Sequence, residues 1–139
     1  MLLRALVFSI LLGLCACNKT TIPLNPQIKT NRDSVGFGSE QGFGVYIGAS
    51  QQDSLDIQNS GTNDLVISAV SMTGDNVFTY QGPQPMTVQG LKHSAVTFYF
   101  TPRASRRYTG TFTITSNAEN FPTKTIALSG TGVNPDGGM

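Results

Sequence analysis

Four stretches of the chain alternate apolar and polar residues with a period of two. Leu55 and Ile57 sit among Ser54, Asp56 and Gln58, and Val96, Phe98 and Phe100 among Thr97, Tyr99 and Thr101. Phe112 and Ile114 sit among Thr111, Thr113 and Thr115, and Ile126 and Leu128 among Thr125, Ala127 and Ser129. Successive side chains of a strand point to opposite faces, so this pattern predicts strands with one buried face. Turn-forming clusters separate them at 59–64, 73–76, 81–85, 101–107 and 116–122, and no window after Leu14 sustains a helical stripe. The combination predicts an all-β domain, either two antiparallel sheets packed face to face or a barrel. Phe100 is expected to point inward and Thr97 outward. Tyr108, in phase with Gly110, Phe112 and Ile114, is expected to face inward with its hydroxyl bonded near a corner. Val77 and Tyr99 fall outside the phase of their core neighbours and are candidates for a partner surface.

The chain has 139 residues, enough for one domain. A formal net charge of +1 argues against a nucleic-acid binder, which would show a basic stripe, and 39% hydrophobic content argues against a disordered chain. Residues 1–4 carry one positive charge and residues 5–14 are apolar apart from Ser9 and Gly13, the pattern of a secretory signal. Ten helical residues span about 15 Å, half of a hydrocarbon core of about 30 Å, so this run is too short to anchor the chain.

The sequence Leu14, Cys15, Ala16, Cys17 resembles the lipobox of bacterial lipoproteins. That resemblance implies that Cys17, with Ala16 before it and Leu14 three back, takes a diacylglycerol before the signal is removed. Cys15 fits less well, because Leu14 stands where a small residue is wanted. The chain has two cysteines and neither has a partner further along, so no intradomain disulfide accounts for them. By analogy with those lipoproteins, acyl chains at ~0.8 kcal/mol per buried methylene would hold the protein to a bilayer. Asn18 rather than Asp after the lipid site implies the outer membrane rather than the inner.

The expected organisation is therefore a signal peptide at 1–16, a lipidated N-terminus and flexible tether at 17–32, a β-sandwich at 33–133 and a flexible tail at 134–139. The tether is polar, is interrupted by Pro23 and Pro26, and would reach at most about 50 Å when extended.

Within 33–133 the order of parts is specific. Asn59 to Gly61 form an N-x-G turn ahead of a Leu-x-Ile strand, Phe100 precedes Thr101-Pro102, Ser116-Asn117 follow a T-x-T-x strand, and Ser-Gly-Thr-Gly closes the run at 129–132. This resembles the abnormal-spindle/hydin group of immunoglobulin-like domains, often found in bacterial secreted proteins as the choice-of-anchor D domain. The resemblance implies an immunoglobulin-like antiparallel β-sandwich of seven to eight strands that serves as a scaffold or protein-binding module and carries no common active site. Two departures stand out. The passage GFGSEQGFGVYIG is lengthened by glycines at 36, 38, 42 and 44 that allow a bulge or a hairpin. The loop at 101–107 carries Arg103, Arg106 and Arg107 where the group tends to small neutral residues.

Candidate chemistry is sparse. His93 is the single histidine and has no cysteine or second histidine to share a metal. Asp64 and Asp75 are expected at one end of the sandwich but lack the spacing of a calcium loop. No serine lies in a G-x-S-x-G setting, and the glycine-rich run opens no helix that would make it a phosphate loop. The reading is a non-enzymatic lipoprotein with no cofactor, no metal, no catalytic residue, no small-molecule substrate and no nucleic-acid partner. It would be membrane-bound through its lipid and would present the module to another envelope protein. The binding candidates are the sheet edge near the first strand, Tyr99, and the cluster Arg103, Arg106 and Arg107, which has no counter-charge in its own loop and suits carboxylate or phosphate. The alternative is a glycan- or cell-wall-binding domain, which the absence of tryptophan disfavours.

Overall fold

The inward positions of all four alternating stretches are buried in the structure, a computed structural model that describes residues 21–38, 44–82 and 84–135. Ten strands form among the described residues: β1 (Ile28–Thr30), β2 (Ser34–Phe37), β3 (Val45–Tyr46), β4 (Gln51–Asn59), β5 (Leu65–Gly74), β6 (Phe78–Gln81), β7 (Met86–Val88), β8 (His93–Phe100), β9 (Arg107–Ser116) and β10 (Thr123–Val133). One sheet has the order β1-β4-β8-β6, the other β2-β10-β9-β5-β7 with β3 also on β10. The all-β sandwich is as the alternation predicts. The strands beyond seven or eight are short edge pieces of two to four residues, of which only β2 is long enough to alternate, with Val35 and Phe37 inward.

The core between the sheets combines aliphatic side chains with a connected group of aromatic rings. Phe100 stacks on Phe37 and Phe78 with ring centroids 5.4 and 5.1 Å apart, those two rings are tilted to each other at 6.1 Å, and Tyr108 meets Phe100 edge-on at 5.7 Å. Phe98 meets Phe112 edge-on at 4.9 Å. Gly130 continues the inward phase of β10, and a Cβ there would lie 2.6 Å from the Phe100 ring, so the glycine leaves the space that the ring fills.

Two expectations about the N-terminal part are corrected. The first strand does not turn back on itself as a hairpin. β2 pairs with β10 at Ala127–Gly130 and β3 pairs with it at Gly132–Val133, both parallel, so the two pieces run the same way along one edge. Residues 39–43 between them lie outside the described residues.

The tether expected through Arg32 is not free either. From Pro23 onward it is docked on the domain. Thr62 and Asn63 donate their N–H groups to the carbonyls of Pro23 and Leu24 at 3.0 and 2.9 Å, and Glu119 donates to Pro26 at 2.9 Å. β1 pairs with β4, and Ile28 is 1% exposed. Asn120 bonds both the N–H and the carbonyl of Ile28 at 2.9 Å. The segment carries a single inward apolar residue in three strand positions, which leaves no pattern to read.

A consequence follows for truncation. A chain beginning at Asp33 loses Ile28 and its ladder. Burial of an isoleucine contributes about 1.5–3 kcal/mol, and a domain of this size shifts by roughly 4–8 °C per kcal/mol. Thermal unfolding followed by circular dichroism is therefore expected to give a melting temperature about 10 °C lower for a chain beginning at Asp33 than for one beginning at Thr21. Equal values would show that β1 adds nothing.

Candidate functional site

The strands run between two ends of the sandwich, and the candidate residues lie at the end away from the docked N-terminal segment. β8 reaches that end at Phe100, the chain turns through 101–106, and β9 leaves it at Arg107. The turn is clamped by Tyr108, which faces inward as its phase predicts. Its hydroxyl accepts from the N–H of Arg103 at 3.2 Å and of Ala104 at 2.7 Å, and donates to the Ala104 carbonyl at 3.2 Å. A buried ring thus fixes the loop that carries the arginines.

The three arginines are not equivalent. The Arg106 guanidinium lies 3.8 Å from the centroid of the Tyr108 ring and donates to Asp75 Oδ1 at 2.8 Å. Asp75 Oδ2 accepts from the N–H of Thr109 at 2.8 Å. The hydrogen bond from Arg106, then that from Thr109, holds the Asp75 carboxyl below its usual range, and the same pairing holds Arg106 more firmly protonated. Because the folded value is lowered, the contribution of this pair is present above the ordinary carboxylate range and is lost as pH falls through the lowered value. The counter-charge that the loop itself lacks is supplied by a residue 31 positions away in sequence, so the cluster is not left unpaired as a whole. Arg103 and Arg107 are exposed and make no ion pair among the described residues.

Tyr99 does not join them. It is half-buried on the outer face of β8, in the four-stranded sheet, and donates its hydroxyl to Gln81 Oε1 at 2.9 Å. Arg107 lies outward on β9 in the other sheet, with the whole sandwich between them. The residue that does share the arginines' face is Tyr46. It is exposed on β3 opposite Val133, and Arg107 is opposite Thr131 two places earlier on β10. A strand of two residues has no period, so no signal in the sequence marked it.

Val77, expected outward, is buried. It belongs to the turn before β6, where strand alternation does not apply, and its carbonyl accepts from the N–H of Thr101 at 3.0 Å. Asp64 and Asp75 do not share an end. They flank the ten-residue strand β5, Asp64 accepting from Gly90 and Asp75 from Arg106.

His93 opens β8 and lines a shallow cleft of about 380 Å³ with Lys29, Thr30, Asn31, Asp56 and Gln58. All six lining side chains are polar or charged, and the His93 imidazole is the one ring among them. Among the described residues no three His, Cys, Asp or Glu side chains converge as metal ligands would. Cys17 lies outside the described residues.

The family model of the HYDIN/CFA65/VesB-like Ig-like domain matches residues 26–131, a span that begins within the docked segment and takes in β1. No curated protein matches significantly in sequence. The fold is similar to the ASH/PapD-like domain 7 of human CEP192, with 16% identity, a TM-score of 0.62, and 94% of this chain and 99% of that one covered. It is also similar to a protein of unknown function from Porphyromonas gingivalis W83, with 11% identity, a TM-score of 0.64, and 84% and 51% covered. A third likeness is to the VesB protease of Vibrio cholerae, at 12% identity and a TM-score of 0.56, where 74% of this chain covers 31% of that one. At these identities the likeness is one of fold. With its order of strands, its tyrosine-clamped corner and a family model matched over most of its length, the chain is a member of the HYDIN/CFA65/VesB-like Ig-like domain family.

Proposed function

We propose that the chain is an exported lipoprotein, acylated on Cys17 and held at the outer membrane, whose single domain of the choice-of-anchor D type works without catalysis. It serves as a protein-binding accessory or scaffold subunit of an envelope assembly. The observation that supports this most is the state of the 101–107 loop. Two guanidinium groups, Arg103 and Arg107, are exposed on a turn that Tyr108 holds rigid, beside the exposed ring of Tyr46. Arginine forks match carboxylates bidentately, and a fixed loop lowers the ordering cost of binding. β10 has 11 residues, which at about 3.3 Å each puts this loop some 30 Å from the docked N-terminal end. That separation favours an acidic protein surface over the headgroups of the anchoring membrane.

Labelling with a fatty-acid analogue tests the anchor: Cys17→Ser is expected to lose the label and leave the membrane, while Cys15→Ser keeps both. For the binding face, Arg103→Gln with Arg107→Gln is expected to leave the melting temperature within about 2 °C, as surface changes usually stay within ±0.5 kcal/mol. The same pair of changes is expected to reduce recovery of the envelope partner in a salt-dependent way. Undiminished recovery at low ionic strength would remove the loop from the reading, and retention on cell-wall polysaccharide would favour a glycan ligand.

A further inference from the structure

The end where the N-terminal segment docks carries an apolar surface that neither the core nor the arginine loop explains. Four loops meet there, at 22–27, 60–64, 89–92 and 117–122, joined by the bonds of Pro23, Leu24 and Pro26 described above and by Leu91 N–H to the Gly61 carbonyl at 3.0 Å. Six large hydrophobic side chains are exposed among the described residues. Ile22, Leu24, Val66, Leu91 and Phe121 lie on these loops or at the strand end beside them, and Tyr46 alone lies at the opposite end. Exposed apolar residues scattered singly need no account, but a gathering on one end does. Leu91 sharpens the point: it is 52% exposed and its φ is 62°, a left-handed conformation that favours Gly or Asn. Neither burial nor backbone preference selects leucine there.

The geometry points to this end as the face on which the domain seats on the lipid bilayer that anchors it, with Leu24, Leu91 and Phe121 entering the headgroup region. The inference rests on the lipoprotein reading above. Six residue steps separate Cys17 from Pro23, whose carbonyl is already bonded to Thr62, so the connection can reach at most about 20 Å. The expected reach of 50 Å is thereby cut by more than half. The domain is longer than this connection, so the loop end is kept beside the bilayer while residues 101–107 are carried away from it. Charge does not drive the contact. Lys124 pairs with Asp33, while Glu119 and Asp64 are bonded only to neutral amide groups and keep their charges, and Lys29 and Lys92 make no ion pair among the described residues, so charges of both signs flank this end. Shallow apolar insertion is therefore expected on zwitterionic and anionic bilayers alike.

The chain contains no tryptophan, so a single introduced one reports its own surroundings. Leu24→Trp and Leu91→Trp test the seated end, and Tyr46→Trp the far end. Each acylated protein is placed in phosphatidylcholine vesicles with brominated acyl chains. Bromine quenching is expected to be several-fold stronger at 24 and 91 than at 46, with blue-shifted emission at the first two. Equal quenching at both ends, or none at 24 and 91, would overturn the seating. A blue shift without quenching that grows with protein density would also overturn it, in favour of a second copy as the occupant.

Leu91→Asn, which suits the left-handed backbone, is expected to keep or raise the melting temperature while weakening the quenching of Leu24→Trp in the same chain. Unchanged quenching would remove Leu91 from the seat. The mature chain from Cys17, coupled through that thiol to a maleimide lipid, repeats the measurement with the same tether. Loss of acyl label in cells thus counts against the anchor, and loss of quenching in the coupled chain counts against the seating.

Discussion

Phe100→Ala is expected to remove a large part of the domain's stability, about 3–5 kcal/mol of the 5–15 kcal/mol typical of such a domain. The ring is fully buried where both sheets and the far-end turn converge. It stacks on Phe37 at 5.4 Å and Phe78 at 5.1 Å, and meets Tyr108, which clamps the arginine loop. Its other face lies against Gly130, whose missing Cβ cannot move in to fill the hole. The cavity would therefore remain open, which is the condition for losses at the upper end of the range. Thr97→Ala, three residues earlier on the opposite face of β8, removes only a half-buried side chain whose Oγ1 lies 3.5 Å from Ser54 Oγ. A change within about 0.5 kcal/mol is expected there. Urea unfolding of the two variants decides the phase of β8, and equal losses would mean that the strand is wrongly placed.

Asn59→Ala is expected to cost about 3 kcal/mol or more, although it deletes only one amide, because each buried backbone group left without a partner costs about 1–3 kcal/mol. Asn59 is fully buried at the last position of β4. Its Oδ1 accepts from the N–H of Gln27 at 3.2 Å and of Gly61 at 3.0 Å, and its Nδ2 donates to the carbonyls of Asn63 at 2.8 Å and Val88 at 3.1 Å. One side chain thereby joins the N-terminal segment, the turn after β4 and the edge strand β7. Its removal is expected to loosen the docked segment as well as the fold. Hydrogen exchange should rise first at Gln27 and Gly61, and the tryptophan at position 24 should become more mobile. Asn59→Asp keeps the shape and the two acceptor contacts but turns a carboxylate oxygen toward two carbonyls, so it is expected to be no milder. A melting temperature for Asn59→Ala within a degree or two of the parent would refute the role assigned to this amide.

Both residues were visible in the sequence, in different ways. Phe100 stands in a strict alternation, and its burial follows from geometry within one strand. Asn59 and Gly61 were visible as a turn motif, but the four partners of the amide were not. Gly61 is required because a Cβ there would meet the Asn25 carbonyl at 2.0 Å, a residue that the sequence places in a free tether. Tyr108 was legible down to its hydroxyl, since its phase set the ring inward and the adjacent turn supplied the backbone groups.

The binding face was legible only in part. Arg103, Arg106 and Arg107 lie in one short loop and read as one cluster, yet Asp75 divides them by pairing with Arg106 alone. Tyr46 joins the face through a parallel pairing of two residues, and Tyr99 leaves it because β8 and β9 belong to different sheets.

By itself the sequence determined the all-β sandwich, the inward set of its long strands and the corner tyrosine, because alternation is a local property of a strand that has one face against a core. Only the tertiary structure decided where the domain begins, which arginines remain exposed and which end gathers the apolar loops. Those outcomes rest on backbone carbonyls and N–H groups that every residue carries, and on side-chain pairs separated by tens of residues. Neither leaves a periodic mark in the chain, so they appear only when the sheets bring the loops of one end together.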